Sequence, residues 1–152
     1  MYISARVDYA TRALLALATA ESGAAMTGEA VASSQALPVK FVENILVELR
    51  RGGFVASQRG SSGGYRLARP ASEITVAQVI RALEGPLAEV RGERPERMRY
   101  EGAAEHLQEV WIAVRAALRR VLEGVSIADI ASGKLPRAVT TMLTDPDAWA
   151  AR

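Results

Sequence analysis

The hydrophobic pattern in the first third of the chain predicts three helices. Apolar residues recur at helical spacing over 4–20, and a short second helix follows Thr27. Pro38 fits the first position of a third helix, where its missing N–H costs nothing. The inner face of this third helix is expected to hold Phe41, Val42, Ile45, Leu46 and Leu49. With a tight turn over 33–37 between the second and third helices, the pattern predicts a helix-turn-helix.

A hairpin is predicted directly after the third helix. Two short runs, 54–57 and 65–68, have strand character, and the glycine-rich loop 58–64 joins them. Arg59 and Arg66 lie at either end of this loop. A hairpin in this position is the wing of a winged helix, and its glycines allow the backbone to approach a partner closely.

Two further helices are predicted to begin at capping boxes. Thr75 with Gln78 forms one box, and Ser126 with Asp129 forms the other. The charged segment 86–101 between them is predicted to be a loop.

The longest predicted helix spans about 102–123 and would measure roughly 33 Å. Its apolar stripe consists of Leu107, Val110, Trp111, Val114, Leu118, Val121 and Leu122. The part of it that would form a dimer contact is Val110, Trp111, Val114, Leu118 and Val121. Such a stripe is either intramolecular core or the seam of a dimer. Because residues 1–85 already account for a compact domain, we expect the seam.

The predicted fold is therefore mainly α with a small β-hairpin wing, a winged helix-turn-helix extended by a long dimerisation helix. The predicted division is a winged helix-turn-helix domain at 1–85, a charged loop at 86–101, the dimerisation helix with a short following helix at 102–135, and a tail at 136–152.

Composition narrows the possible chemistry. The chain has 152 residues, of which 49% are hydrophobic, so it can fill a core. It contains no cysteine and a single histidine, His106. This excludes disulfides, thiolate nucleophiles, cysteine-held clusters and a catalytic triad, so we expect neither an enzyme nor a metal or cofactor. No apolar run is long enough to span a membrane and no export signal is apparent, so a cytoplasmic location is expected.

Charge is distributed unevenly along the chain. The net charge is only +2, yet residues 35–70 hold six basic and two acidic side chains. A basic block of this kind indicates either a site for a polyanion or a solvated, arginine-rich surface, and charge alone does not separate the two.

Several side chains suit recognition of DNA. Lys40, Glu43 and Asn44 lie near the start of the third helix, the part of such a helix that reads base edges in the major groove. The residues expected to contact phosphates at the turn are Ser34 and Gln35, together with their neighbour Ser33. Arg59 suits a narrow, A·T-rich minor groove. Glu43 could instead simply solvate the helix face.

The chain also resembles a known family. The stretches 8–14, 38–46 and 49–55 match it, and the wing sequence 59–68 is the most specific. They resemble the Rrf-two family of bacterial winged-helix transcription regulators, which includes IscR, NsrR and CymR. The resemblance implies a DNA-binding homodimer, with contacts from Glu43, Asn44, Arg59 and Tyr9, although Tyr9 could belong to the core. The glycines expected at the DNA are Gly60, Gly63 and Gly64, of which the last two also shape the hairpin.

One departure from the family matters. Cluster-binding members carry three cysteines between the equivalent helices, whereas residues 85–106 contain none here. Asp8, at the position of a ligand in some members, is expected to be a surface carboxylate or an ion-pair partner. We therefore expect a cluster-free repressor on a palindromic operator, with a small molecule or a protein as possible effector. The alternatives are control by complex formation with a metabolic enzyme, as in CymR-like members, and a protein-interaction module that never binds DNA.

Overall fold

Seven α-helices and one β-hairpin make up the part of the chain that this computed structural model describes, residues 2–151. The helices are α1 (Ala5–Ala18), α2 (Gly28–Gln35), α3 (Val39–Arg51), α4 (Val76–Glu84), α5 (Leu107–Leu122), α6 (Ile127–Ser132) and α7 (Arg137–Leu143). Strands β1 (Val55–Gln58) and β2 (Gly64–Leu67) pair antiparallel. The mainly helical fold with a hairpin wing is confirmed. Within residues 2–151, no helix combines the length and apolar character needed to span a bilayer.

Side-chain caps determine where most of these helices begin. The Ser4 hydroxyl accepts a hydrogen bond from the Val7 N–H at 3.2 Å, and Thr27 caps α2 in the same way. Both predicted capping boxes are confirmed, at the starts of α4 and α6. In the second box, hydrogen bonds from the Ser126 hydroxyl and backbone N–H lower the pKa of Asp129.

The turn between α2 and α3 is held by an unusual backbone conformation. Ala36 adopts the left-handed region with φ 51°, although it is not glycine. The Leu37 N–H donates to the Ala32 carbonyl at 2.9 Å, which closes the end of α2. Pro38 then precedes the first residue of α3 rather than occupying it, one position from the prediction. These contacts orient α3 relative to α2.

The core is built around α1, which packs against α2, α3, α4, α6 and β2. Its residues Ala10, Ala13 and Leu14 are completely buried. Alanine at the contact face lets neighbouring helices approach closely, because little side-chain volume separates the backbones. Helix α1 is therefore the common support of the fold.

One residue of the predicted inner face of α3 is exposed. Val42, Ile45, Leu46 and Leu49 are buried as predicted, but Phe41 is 61% exposed. It is the third residue of α3, in the first turn of the helix, and its ring meets the edge of the Tyr9 ring at 6.4 Å between centroids. The prediction for Phe41 is wrong because this residue lies at the edge of the apolar face, about 100° around the helix from the buried Val42, and periodicity does not show how wide a face the neighbouring elements cover.

The wing is attached to the helical core through main-chain hydrogen bonds. The backbones of Met26 and Tyr65 exchange two hydrogen bonds of 2.8 and 2.7 Å. Gly64 has φ 140°, and a Cβ at this position would overlap the Met26 carbonyl. Glycine is therefore required where the hairpin crosses the segment before α2.

Helix α6 packs against the helices and turns of the first part of the chain. The Ile127 N–H donates to the Ile74 carbonyl at 2.8 Å, and the Ile127 side chain is completely buried in the main core. Helix α6 thus joins the winged-helix core, whereas the sequence grouped it with the dimerisation helix outside the first domain. Hydrogen bonds between distant segments, which no local pattern encodes, decide this placement.

The charged segment 86–101 is more structured than a plain loop. Leu87, Pro95 and Met98 are buried, and a 3-10 turn spans Pro95–Arg97. The Gln108 side-chain amide donates to three carbonyls of this segment, including that of Met98 at 2.7 Å. A single glutamine thereby anchors the segment to α5.

Helix α5 and the tail also need correction. Helix α5 begins at Leu107 instead of about 102, so its 16 residues span about 24 Å. The tail is not a simple arm, because it forms α7 and a following 3-10 turn, Pro146–Trp149. Trp149 remains 72% exposed, and its indole N–H donates to the Leu143 carbonyl at 2.9 Å.

The crossing at Gly64 yields a stability prediction. Replacing Gly64 with alanine should lower the free energy of unfolding by about 3 kcal/mol or more, because the new Cβ collides with backbone that cannot move aside. Urea unfolding followed by circular dichroism measures the change. The control is Ser61→Ala in the exposed part of the same hairpin, which should change the stability by less than about 0.5 kcal/mol. Equal stability of the two variants would contradict this account of the wing.

Candidate nucleic-acid interface

Three polar side chains project from the first two turns of α3. Lys40, Glu43 and Asn44 are all exposed. Within residues 2–151, none of their side chains takes part in a hydrogen bond or an ion pair. Their hydrogen-bonding groups are therefore available to another molecule.

Glu43 is positioned by the neighbouring helix. Its Cγ lies 3.2 Å from the point that a Cβ on Gly28 would occupy. Gly28 is the first residue of α2, so the aliphatic part of Glu43 rests on the backbone of that helix. This contact restricts the side chain without using its carboxylate.

A hydrogen bond connects the end of α2, which precedes the polar residues of α3 in the chain, to helix α1. Arg12 donates a hydrogen bond to the Gln35 carbonyl and forms an ion pair with Asp8 at 3.5 Å. The interpretation of Asp8 as an ion-pair partner is confirmed. Ser34 is exposed, and its hydroxyl donates to the Val31 carbonyl at 2.9 Å, while Gln35 is half-buried. The oxygen of the Ser34 hydroxyl remains able to accept a hydrogen bond.

Tyr9 lies at the edge of the core, as one of its two interpretations expected, and its contact with DNA stays a prediction. Its ring is half-buried and packs on the core, and the Arg12 guanidinium lies 6.0 Å from its centroid. The edge contact with Phe41 brings it to the exposed surface of α3. Val39 is also exposed, at 41%. The exposed apolar pair Val39 and Phe41 was not expected from the sequence, because Phe41 was assigned to the core and Val39 was given no role.

The wing contributes a second group of residues. Arg59 and Gly60 are exposed at its turn, where the Gly63 N–H donates to the Gly60 carbonyl at 2.9 Å. Gly63 and Gly64 are half-buried and shape the hairpin, because a Cβ on either would collide with backbone. Any contact they make with a ligand has to come from the main chain.

The arginines divide into two classes. Arg6 pairs with Glu48 and Arg69 binds the Glu73 carbonyl, so these side chains hold the fold together. In the region that the structure describes, no ion pair or hydrogen bond engages the side chains of Arg51, Arg59 and Arg66. Together with Lys40 at the start of α3, the unpaired cations of the basic block thus lie on α3 and in the wing.

The apolar stripe of α5 is only partly covered by the rest of the chain. Val110 is 50% and Val114 is 44% exposed, while Trp111, Leu118 and Val121 are half-buried. No residue of α5 is classed as buried, and the Trp111 indole N–H is the one buried side-chain donor without a partner among residues 2–151. An amphipathic helix with such a face needs a further surface to pack against.

A cluster of arginines surrounds a cavity of about 310 Å³ between α4, the 85–98 segment and α5. We call it the arginine pocket, and its charged lining consists of Arg81, Arg94, Glu96, Arg115 and Arg119. The pKa of Glu96 lies below its ordinary value, because the carboxylate accepts hydrogen bonds from the Glu96 backbone N–H and from the Arg115 guanidinium. These arginines were not predicted as a site, because they are far apart in the sequence.

The comparison with protein families identifies one match. A family model named Rrf2, described as an iron-dependent transcriptional regulator, matches residues 3–133. This is the Rrf-two family suggested by the wing sequence.

The residues of this chain do not fit the iron–sulfur chemistry of the cluster-binding members. Such clusters are held by cysteine thiolates, and the sequence has no cysteine. Among residues 2–151, no three or more histidine, aspartate or glutamate side chains are grouped closely enough to hold a metal ion. The exposed His106 side chain has Glu109 as its one polar partner in the described part of the chain, at 3.0 Å.

Known proteins align with most of the chain. The HTH-type transcriptional regulator Rv1287 of Mycobacterium tuberculosis is 43% identical over 145 residues, which cover 95% of this chain and 90% of the relative. CymR of Bacillus subtilis is 32% identical over 132 residues, which cover 87% of this chain and 91% of CymR.

Solved structures show the same fold. The structure of CymR, the global cysteine regulator of B. subtilis, superposes with a TM-score of 0.74 at 31% identity, covering 87% of this chain and 97% of that chain. The T. potens IscR structure superposes with a TM-score of 0.68 at 25% identity, and the alignment covers 100% of this chain and 93% of that chain. With its winged helix, its wing sequence and these relatives, the chain belongs to the Rrf2 family of transcriptional regulators.

Proposed function

We propose that the protein is a cytoplasmic transcription repressor that binds a palindromic DNA operator as a homodimer and works without an iron–sulfur cluster. The observation that carries this proposal is the set of exposed polar side chains without intramolecular partners on α3 and the wing. Lys40, Glu43, Asn44 and Arg59 form this set. A helix and a hairpin that extend such groups from one fold match the geometry of DNA recognition by winged helices.

Helix α3 would read the major groove. Asn44 can pair with adenine, Glu43 can accept from the amino group of cytosine, and Lys40 can reach guanine or phosphate. The exposed Ser34 and the main chain near Gln35 would contact phosphates and determine the register.

The apolar start of α3 adds a contact that hydrogen bonding does not provide. Val39 and Phe41 lie on the same helical turn as Lys40, and the Phe41 ring is supported by Tyr9. Apolar side chains in the major groove recognise the methyl group of thymine. We infer that Phe41 favours a thymine in each half-site.

The wing would enter the minor groove beside the half-site. Arg59 is exposed and unpaired, and the adjoining Gly60 places little bulk next to it. A narrow A·T-rich minor groove concentrates negative potential, which attracts an arginine side chain.

The partly exposed apolar stripe of α5 supports dimerisation. Pairing of Val110, Trp111, Val114, Leu118 and Val121 with their symmetry mates would bury the exposed apolar face of α5. A two-fold dimer presents two reading helices, which requires a palindromic site. Repression needs only that the bound dimer cover the operator, whereas activation also needs a surface that contacts the polymerase.

The absence of cysteine supports function without a cluster, and the lack of a candidate nucleophile or metal set supports a binding role rather than catalysis. The relatives reported above are likewise named as regulators.

The Arg59→Ala variant should bind the operator about 1–3 kcal/mol more weakly than wild type, because a groove contact and its charge are lost. The operator is first obtained by selection from a random duplex library, and affinity is then measured by fluorescence anisotropy over a salt series. The control is Arg137→Ala, since Arg137 is exposed on α7, away from the interface. Indistinguishable affinities of the two variants would contradict the docking of the wing.

The Glu43→Ala variant should lose base preference at one position of each half-site while its non-specific affinity is kept or increased, because a carboxylate near DNA repels phosphate and contributes only through base readout. Repeating the selection with the variant measures this. Glu105→Ala, which changes an exposed glutamate far from α3, is the control. A selected motif identical to that of wild type would refute the role of Glu43.

The Val114→Asp variant should be monomeric, because the seam would have to bury a charge. Light scattering after size-exclusion chromatography gives the mass, and circular dichroism verifies the fold. The control is Ala113→Asp, which places the same charge on an exposed residue of α5 outside the stripe. The seam on α5 is ruled out if Val114→Asp keeps the wild-type dimer mass, or if the wild type is itself a monomer.

A further inference from the structure

We propose that the arginine pocket binds a small dianion, a dicarboxylate or a phosphate ester, and that this ligand controls the affinity for DNA. The regulatory half of this proposal rests on the proposed function, whereas binding of the anion does not. Dicarboxylates and phosphate esters have in common that one small molecule carries two negative charges on its oxygen atoms.

The pocket has the size and composition of a ligand site. Its volume of about 310 Å³ is within the usual range for small molecules. Gly85, Pro86, Leu87 and Ala88 form an uncharged wall, of which Leu87 is buried. The four guanidinium groups come from three separate parts of the chain, which the fold brings around one cavity.

The charges around the pocket do not cancel within the chain. Arg115 pairs with Glu96, and Arg81 pairs with Glu123, which also lies 3.9 Å from the Arg119 Nε. Among the described residues, the Arg94 side chain takes part in no ion pair or hydrogen bond, although its charge helps to lower the pKa of Glu96. Four arginines therefore share two carboxylates, and the excess of two positive charges matches a dianion.

One of these arginines is already held in position. The Arg115 side chain is only 15% exposed, and its pairing with Glu96 restricts the guanidinium. Arginine presents several N–H donors in a planar fork that suits both carboxylate and phosphate. Because this group loses little freedom on binding, part of the entropic cost of recognition is avoided.

Dimerisation through the stripe would leave the pocket open. At helical spacing, Arg115 and Arg119 lie on one flank of Trp111, while Val110 and Val114 lie on the other. The pocket is thus beside the proposed seam and not beneath it.

The position of the pocket provides a route to regulation. Arg81 belongs to α4, which packs in the winged-helix core, whereas Arg115 and Arg119 belong to α5. A dianion held between them would tie the core to the dimerisation helix and change the relative placement of the two wings. If the dianion binds the DNA-bound form and the free form with different affinities, it changes the affinity of the protein for DNA, and DNA changes the affinity for the dianion by the same factor.

The test begins with the full-length protein in the absence of DNA. Phosphate, pyrophosphate, succinate and 2-oxoglutarate are titrated by isothermal calorimetry, with sodium chloride at matched ionic strength as the reference. At least one of them should bind saturably with one site per chain, and the comparison of the phosphates with the dicarboxylates shows which group is preferred.

Variants connect this binding to the pocket. Arg94→Gln and Arg119→Gln should each weaken the preferred anion about tenfold or more, because a charge-assisted hydrogen bond is lost. Arg137→Gln, with the same change on α7, should bind as wild type does. Absence of saturable binding for all four anions, or equal affinity in Arg94→Gln, would overturn the proposal.

A second titration on the selected operator examines regulation. The preferred anion should change the affinity of wild type for DNA at least severalfold and leave Arg94→Gln unaffected. Saturable anion binding with unchanged DNA affinity would refute the regulatory half alone. A protein that binds the anion but no DNA would refute the proposed function and leave the pocket supported.

Discussion

The packing of α1 against its neighbours is the contact on which the rest of the structure depends. Its Ala10 and Ala13 are completely buried, which lets α2 and α3 approach the backbone of α1 closely. The same helix contacts β2 and α6, so the reading helix, the wing and the C-terminal part of the core share one support. A larger side chain at either alanine would separate these elements and change their relative angle.

The use of arginine follows from this architecture. Arginines that face the core surface are engaged by carboxylates or carbonyls, as in the contacts of Arg6 with Glu48 and of Arg12 with the Gln35 carbonyl. Those of the wing and of the end of α3 lack such partners within residues 2–151. Net charge does not separate these two classes, because both contribute equally to it, and only the partners distinguish a structural cation from one available to DNA.

The segment between α4 and α5 connects the two halves of the proposed mechanism. Its apolar residues Leu87 and Met98 are buried, and Gln108 anchors its carbonyls to α5. The segment also supplies Arg94 and Glu96 to the arginine pocket, while the other arginines of the pocket come from α4 and α5. What such a site can bind depends on these side chains and not on the fold alone.

Local signals along the chain were sufficient to predict the secondary structure and the family. Capping residues such as Thr75 and Ser126, the periodicity of α3 and the glycine-rich wing each act within a few residues, so their outcome could be predicted. The exposed polar residues of α3 and Arg59 were also found from the sequence, although their contacts with DNA stay a prediction. Long-range packing, in contrast, leaves Phe41 outside the core, places α6 within it and brings four arginines around one cavity. These features depend on contacts between residues far apart in the chain, and the periodicity of a single segment carries no information about the surface that meets it.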